Sequence, residues 1–160
     1  MTDAAPVRLL LVEDDSRLRK AIESFLNWPA NGVTLAASCS TAAEALRAVE
    51  THDIDVAVVD LGLPDQPGVE VIRALQRRQP PIPSLVLTVL DDTPSVLGAL
   101  QAGARGYLVK DIAPEELVTA IHQIVEGDPP LAPEARRALI ENVRKEPVED
   151  LAWSPDAPRS

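Results

Sequence analysis

Five short apolar runs alternate along the chain with segments whose apolar residues recur every three or four positions. The runs are rich in Val, Leu and Ile and are too short for most helices, so they predict buried strands of a parallel sheet. These strands are predicted at 7–12, 33–37, 55–60, 85–89 and 106–109. The segments between them predict helices at 16–26, 41–49, 68–78, 93–103 and 114–126. The alternation predicts an α/β fold, with helices on both faces of one parallel sheet.

Local sequence signals mark several of the helix ends. Thr41 and Glu44 form a T-x-x-E capping box for the second helix. Thr93 followed by Pro94 predicts an N-cap with proline at the first helical position of the fourth helix. Trp28, in the loop after the first helix, is expected to be a packing residue.

Two consecutive prolines after the fifth helix predict a domain boundary. We expect one domain at 1–128 and an added segment at 129–160. A sixth helix is predicted at 133–145, followed by a proline-rich tail or linker at 146–160. The apolar stripe of this helix consists of Ala135, Leu139 and Val143.

Composition narrows the class of protein. Apolar residues make up 46% of the 160 residues, which argues against wholesale disorder. The net charge of −10 works against direct binding of DNA or RNA by this chain. The single cysteine, Cys39, is typical of a reducing compartment, and the N-terminus does not have the pattern of a signal peptide. No segment is apolar for long enough to cross a bilayer, so we expect a cytoplasmic protein without a membrane partner.

Polar side chains follow four of the five predicted strands at the point where each strand ends. Glu13 and Asp14 follow the first strand, and Asp60 ends the third. Thr88 and Lys110 end the fourth and fifth. In open α/β sheets, ligands bind beyond the carboxyl ends of the strands where the strand order reverses. If the order is 2-1-3-4-5, the three carboxylates converge there beside a hydroxyl and an ammonium.

Each of these residues has an ordinary structural explanation when taken alone. An acid after a strand can cap a helix, a lysine can be a solvated surface charge, and threonine is common in strands. Four such positions on one edge are less easily explained in that way. Carboxylates so close together repel and call for a cation, and oxygen ligands favour Mg²⁺ or Mn²⁺. A carboxylate there could act as a nucleophile toward phosphorus and form an aspartyl-phosphate.

Four motifs carry a resemblance to a known family. They are LLLVEDD at 9–15, VVDLGLPDQPG at 58–68, LVLTVLDD at 85–92 and GARGYLVKD at 103–111. In this order they resemble the receiver domains of bacterial two-component response regulators. The resemblance implies the flavodoxin-like fold, a doubly wound five-stranded parallel sheet of order 2-1-3-4-5 with five helices. The predicted sixth helix would be an addition to that fold.

The resemblance also implies a role for each polar residue. Asp60 would accept the phosphoryl group, and Asp14 with the backbone carbonyl of Gly62 would complete the protein's ligands for Mg²⁺. Glu13 would act on the metal mostly through water. Lys110 would hold the phosphoryl oxygens, and Thr88 would move to bond them. Tyr107 would be the aromatic switch residue, whose ring turns inward behind the threonine.

The family further implies partners and an output. The segments GYLVKDIAPEEL and LAPEARRAL resemble receivers that precede a C-terminal helix-turn-helix of the LuxR type. The implied partners are a sensor histidine kinase, a second copy in a phosphorylation-dependent homodimer, and DNA if such a domain follows. The protein would not be an enzyme. At most, it would slowly remove its own phosphoryl group. Two alternatives are a phosphate-independent, receiver-shaped interaction module and an aspartyl-phosphate phosphatase, although the latter needs an acid where Gly62 lies.

Overall fold

The computed structural model describes residues 5–128 and 130–145. They form one five-stranded, all-parallel sheet with the order β2-β1-β3-β4-β5, as predicted. The strands are β1 (Val7–Val12), β2 (Val33–Cys39), β3 (Val56–Val59), β4 (Ser84–Thr88) and β5 (Gly106–Val109). The helices are α1 (Ser16–Leu26), α2 (Ala42–Thr51), α3 (Gly68–Gln76), α4 (Thr93–Ala102), α5 (Pro114–Glu126) and α6 (Pro133–Lys145). The predicted tail at 146–160 lies outside the described residues.

Two apolar layers enclose the sheet. Buried residues of α2, α3, α4 and α6 pack on one face, and those of α1 and α5 pack on the other. The central strands contribute to both layers because successive side chains point to opposite faces. Leu9 and Leu11 face the α1 and α5 side, whereas Leu10 and Val12 face the α2 side, and all four are fully buried. This double burial explains why the strands read as continuous apolar runs.

Strand β2 is longer than the sequence predicted. It continues to Cys39 because it stays paired with β1 until Val12 lies opposite Cys39. The register shifts between Leu9 and Leu10, whose partners are Leu35 and Ala37. One extra residue of β2 is accommodated there as a bulge. The backbone N–H of Glu13 then donates to the carbonyl of Cys39 at 2.9 Å, which places Glu13 directly after the paired region.

The N-cap of α4 is one residue earlier than predicted. Asp92, not Thr93, has the extended backbone of a cap, and its carboxylate accepts from the backbone N–H of Ser95 at 3.0 Å. Pro94 therefore lies within the first turn but not at the first helical position. Thr41 does cap α2 as predicted, by accepting from the N–H of Glu44. Aspartate and threonine are both good caps, so sequence alone did not separate neighbouring candidates.

Two other expectations about packing were wrong or incomplete. Trp28 is 68% exposed and does not pack in the loop after α1. On α6 the buried residues are Ala135 and Ala138, with Leu139 only partly buried. The side chain of Val143 lies outside those that the structure describes. The inner stripe of α6 is therefore made of alanines, which let the helix approach its neighbours closely.

Candidate functional site

The candidate site lies at the edge of the sheet where β1 and β3 end side by side. Val12 pairs with Val59 at the last position of both strands. The N–H of Asp60 donates to the carbonyl of Val12 at 3.0 Å, so the segments after β1 and β3 leave the sheet side by side. Strand order reverses here because β2 lies on the other side of β1. The predicted convergence of Glu13 and Asp60 at this point is therefore present.

The acids at this edge differ in their exposure. Glu13 is 1% exposed and Asp60 is 5% exposed, whereas Asp14 is solvent-exposed. One carboxylate oxygen from each of the three lies within 4.8 Å of the others. Three negative charges so close together repel one another unless a cation is near.

Lys110 supplies one such cation. Its ammonium nitrogen donates to Oε2 of Glu13 at 2.8 Å and to Oδ2 of Asp60 at 2.9 Å. Burial raises the pKa of Glu13, against the opposing effect of the bonds from Lys110 and from the N–H of Asp15. Burial by itself would lower the pKa of Lys110, but its bonds to both carboxylates leave that pKa raised. The ammonium therefore stays charged and lies largely buried between the two acids, so Lys110 is not simply a solvated surface charge.

Thr88 and Lys110 are positioned together. Thr88 is fully buried at the end of β4, and the N–H of Lys110 donates to its carbonyl at 2.9 Å. The hydroxyl oxygen of Thr88 lies 3.4 Å from the N–H of Leu90, a long hydrogen bond that leaves the hydroxyl proton uncommitted to that contact. The hydroxyl can therefore change partners at little cost.

Tyr107 lies inside the protein. Its ring is fully buried, although β5 is the outermost strand on that side of the sheet. The phenol hydroxyl donates to the carbonyl of Leu90 at 2.7 Å, and burial together with the nearby acids Asp91 and Asp92 raises the pKa of Tyr107. A static ring on the surface of β5 would not agree with this burial.

Gly62 lies in the exposed loop after β3. Its N–H donates to Oδ1 of Asp60 at 3.2 Å and so helps to orient the carboxylate. Further along this loop, Gly68 starts α3 against the backbone of Asp60, where an added Cβ would lie 2.2 Å from the carbonyl oxygen of Asp60. Only glycine permits this approach, which brings the start of α3 against the backbone of Asp60.

Two supporting residues were missed by sequence reasoning. Asp65 accepts from the N–H groups of both Ala42 and Ala43 at 2.9 Å, so the loop after Asp60 is held against the start of α2. These two backbone bonds lower the pKa of Asp65. Arg19 donates to the carbonyl of Glu13 at 2.8 Å. The sequence indicated only that Asp65 is a polar residue in the DLGLPDQPG loop. It could not indicate the partners of Asp65 at the start of α2, which lie more than twenty residues away in sequence.

Comparison with known proteins agrees with this geometry. A family model described as Response regulator receiver domain matches residues 9–122. The chain belongs to this receiver family. The matched region contains every residue of the site described above. Among the described residues of this receiver, no helix has the length and apolarity needed to cross a membrane.

The receiver is similar to two curated regulators that are longer than it is. It is 30% identical over 128 residues to the nitrate/nitrite response regulator NarL of Escherichia coli, which covers 80% of this chain and 59% of NarL. It is 34% identical over 138 residues to the DNA-binding transcriptional activator DevR/DosR of Mycobacterium tuberculosis, covering 86% of this chain and 63% of that protein. The chain thus spans about three fifths of the length of these relatives.

Solved structures show the same fold. A two-component response regulator of the LuxR family from Aurantimonas is 29% identical with a TM-score of 0.77, and the alignment covers 88% of this receiver and 99% of that chain. A CheY-like receiver domain protein from Methanospirillum hungatei is 26% identical with a TM-score of 0.69, covering 77% and 96%. The fold is therefore the flavodoxin-like fold of CheY-like receivers, and this receiver is of the NarL and LuxR type.

Proposed function

We propose that this receiver accepts a phosphoryl group on Asp60 from a sensor histidine kinase in a Mg²⁺-dependent reaction. The observation that carries the proposal is the position of the Asp60 carboxylate. It is 5% exposed at the open edge of the sheet, bonded to Lys110 at 2.9 Å, and within reach of two further acids. A nucleophilic carboxylate beside a fixed ammonium is suited to phosphoryl transfer, where catalysis is mainly positioning and charge stabilisation.

The donor set fits a divalent metal. Asp14, Asp60 and the carbonyl of Gly62 would hold Mg²⁺ or Mn²⁺, and Glu13 would act mostly through water. Three carboxylates against one lysine leave an excess of negative charge, and hard oxygen donors are those that Mg²⁺ prefers. The bound cation would neutralise charge on the transferred phosphoryl oxygens.

The transfer itself needs few groups. An Asp60 oxygen attacks the phosphorus of the kinase phosphohistidine, the new O–P bond forms, and the P–N bond breaks with its electrons passing to the imidazole. Lys110 then exchanges its bond to Asp60 for one to a phosphoryl oxygen. Its second bond, to Glu13, keeps the ammonium in place during the exchange.

Switching is proposed to run through Thr88 and Tyr107. The Thr88 hydroxyl would donate to a phosphoryl oxygen, a charge-assisted bond of about 1.5–3 kcal/mol. Leu90 lies two residues beyond Thr88, and its carbonyl accepts from Tyr107, so movement of the loop is transmitted to the ring. An inward ring is the state that phosphorylation would favour.

We propose that the receiver has no enzymatic turnover beyond slow loss of its own phosphoryl group. In the family, the residues two places after the acceptor and two places after the threonine tune attack by water. Here Gly62 offers no side chain and Leu90 offers an aliphatic one that is 39% exposed. Neither can polarise a water molecule, so hydrolysis lacks an assisting group.

We propose that residues 1–128 are the receiver and that 129–160 contain a helix and a linker to an output domain. The relatives are longer, and one is named a DNA-binding transcriptional activator. The net charge of −10 argues against DNA binding by these 160 residues themselves. The output is proposed to be transcription through a DNA-binding domain, with a homodimer formed on phosphorylation. The kinase reaction would take place in the cytoplasm.

Intact mass spectrometry tests the acceptor. Incubation with acetyl phosphate or phosphoramidate and Mg²⁺ should add one phosphoryl group to the wild type and none to Asp60→Asn. Asp53→Asn, an exposed acid at the opposite end of the sheet, serves as the matched control and should be labelled normally. An unchanged adduct on Asp60→Asn would refute the assignment. No adduct on any protein, from small donors or from a kinase, would favour the phosphate-independent module.

A further inference from the structure

Helix α4 lacks the charged face that a surface helix usually has. Its sequence, TPSVLGALQA, contains no charged residue. Val96 and Ala99 are fully buried, and the leucines between and after them are half-buried. A helix with no charge and few polar residues is usually buried on more than one side. The sheet covers one side of α4, so a second cover is required.

Helix α6 provides that cover. Ala135 is fully buried and Ala138 is 3% exposed, and both belong to the same apolar cluster as Val96 and Ala99 of α4. The opposite side of α6 faces solvent, where Ile140 is 53% exposed. Because alanine is small, α6 can lie close against α4. The docked partner is thus a helix with small apolar residues spaced three apart.

The segment before α6 is attached to the edge of the sheet. The N–H of Tyr107 donates to the carbonyl of Pro130 at 3.0 Å, and the N–H of Ala132 donates to the carbonyl of Tyr107 at 2.9 Å. Leu131 forms a parallel bridge with Tyr107. At Gly106 an added Cβ would lie 2.8 Å from the carbonyl oxygen of Pro130, so the approach is close. The segment covers β5 as a short additional strand would.

Tyr107 therefore joins two parts of the molecule. Its backbone holds the segment that leads into α6, and its hydroxyl holds the carbonyl of Leu90 in the loop after Thr88. The ring belongs to the apolar cluster that also contains Ala135 and Ala138. An outward rotation of the ring would need space on the α4 and β5 surface, which α6 and its leading segment cover.

We propose that α6 docks on α4 and β5 as an intramolecular partner that locks Tyr107 inward. The docked helix and the inward ring stabilise each other because undocking opens the space into which the ring would turn. Any other partner of the same face, including a second copy of this chain, must compete with α6. If phosphorylation favours the inward ring, as the proposed function requires, phosphorylation and α6 docking also strengthen each other by linkage.

The charges around the contact do not favour docking. A cleft between α6 and the loop before α4 is lined by acids from both sides, and Arg137 is its one cation among the described residues. The acids of this cleft are Asp91, Asp92, Glu134 and Glu141. Like charges across the contact oppose docking, so apolar packing of the alanines must hold the helix in place.

The lock is tested on the full chain with two variants that introduce the same residue. Ala138→Glu places a carboxylate in the buried contact, and Ile140→Glu places it on the exposed side of the same helix. Tyr107 is the only tyrosine in the sequence, so 3-fluorotyrosine labelling gives one ¹⁹F resonance that reports on its ring. Ala138→Glu should increase amide exchange in α6 and shift or broaden that resonance, whereas Ile140→Glu should leave both as in the wild type.

A double variant with Ala135→Glu and Ala138→Glu is included in case the single substitution undocks α6 only in part. Unchanged α6 exchange in the double variant would show that the alanine contact does not hold the helix, and would overturn the docking. Faster α6 exchange with an unchanged ¹⁹F resonance would overturn the lock. Retention of the core helices and strands, checked by circular dichroism, separates undocking from unfolding.

The coupling to phosphorylation is tested with beryllofluoride and Mg²⁺, where beryllofluoride stands in for the phosphoryl group. Wild type and Ile140→Glu should bind it equally, and Ala138→Glu should bind at least about fivefold more weakly. Equal affinity in all three, or tighter binding by Ala138→Glu, would overturn the coupling. If the wild type does not bind beryllofluoride at all, the proposed function fails together with the coupling. The lock itself is still decided by the ¹⁹F experiment.

Discussion

Two clusters at opposite ends of the sheet contain the same ingredients, one cation between two carboxylates. At the open edge, Lys110 lies between Glu13 and Asp60 at 2.8 and 2.9 Å. At the other end, Arg8 lies between Asp55 and Asp53 at 3.0 and 3.4 Å. Strand β1 connects them, since it contains Arg8 and ends just before Glu13.

The clusters differ in their exposure to water. The side chains of Lys110, Glu13 and Asp60 are 16%, 2% and 6% exposed, whereas that of Arg8 is 47% exposed. Burial raises the pKa of Glu13, and the bond from Arg8 lowers the pKa of Asp55. The same charges therefore form a surface ion pair around Arg8 and a largely buried ion cluster around Lys110. Position in the fold decides the chemistry, because water solvates one cluster and is largely excluded from the other.

The largest difference should appear when each cation is removed. Lys110→Met leaves two buried carboxylates without their partner, so we expect the free energy of unfolding to fall by about 3 kcal/mol without Mg²⁺. Arg8→Met, the matched variant at the exposed cluster, should lose much less because water solvates its acids. Urea unfolding of both metal-free variants at neutral pH measures the difference. Equal losses would contradict the distinction.

Mg²⁺ should stabilise the protein only through the acids at the open edge, which are Glu13, Asp14 and Asp60. At about one hundred times its dissociation constant, a ligand of the folded state adds about 2.7 kcal/mol to the free energy of unfolding. This gain should appear in the wild type and be strongly reduced in Asp14→Ala. Asp53→Ala, the corresponding exposed acid of the other cluster, should keep the full gain. A gain that survives in Asp14→Ala would place the ion elsewhere.

The two clusters should respond to pH with opposite signs, as a smaller effect. The folded pKa of Glu13 is raised, so its contribution to stability is present below its unfolded pKa and is lost as pH rises through the folded pKa. The folded pKa of Asp55 is lowered, so its contribution is present above its unfolded pKa and is lost as pH falls through the folded pKa.

The measurement is metal-free urea unfolding between about pH 3 and pH 8, a range that includes the ordinary pKa of both carboxylates. Glu13→Gln should flatten the decline in stability on the side of rising pH. Asp55→Asn should flatten the decline on the acidic side and leave the other unchanged. If Glu13→Gln altered the acidic decline and Asp55→Asn altered the decline at rising pH, the assigned directions of the two pKa shifts would be wrong.

Salt should produce the smallest difference. The Debye length falls from about 10 Å at 0.1 M salt to about 3 Å at 1 M, which screens exposed charges far more than buried ones. The difference in free energy of unfolding between wild type and Arg8→Met should therefore shrink in 1 M NaCl. The difference between wild type and Lys110→Met should persist. Comparable screening of both differences would indicate that water reaches Lys110 as freely as it reaches Arg8.

Most errors of the sequence prediction concern ends and faces, not the elements themselves. Every predicted strand and helix is present in the described residues, and β1, α1, β5, α5 and α6 have the predicted bounds. Strand β2 ran on to Cys39 because pairing with β1 decides where a strand ends. Trp28 was expected to pack and is 68% exposed, because a bulky residue in a loop does not show which way the loop turns.

The candidate site could be assembled from sequence because parallel strands end at one edge. Polar residues at the ends of buried strands had to meet there, whatever the details of packing. What each of them contacts could not be predicted in this way. The supporting bonds from Asp65 to the start of α2 and from Arg19 to Glu13 were missed for that reason, since they join loops and helices whose relative positions have no periodic signature.

By itself, the sequence determined the alternation of strands and helices, the parallel sheet and the set of polar residues at its edge. These follow from local periodicity and from the rule that the buried parts of strands are mostly apolar. Tertiary structure alone decided that one ammonium serves Glu13 and Asp60, which lie 97 and 50 residues from Lys110. It also decided that α6 covers α4 and that Tyr107 is held inward. Such contacts depend on packing between distant segments, which burial and distance define and which residue spacing does not encode.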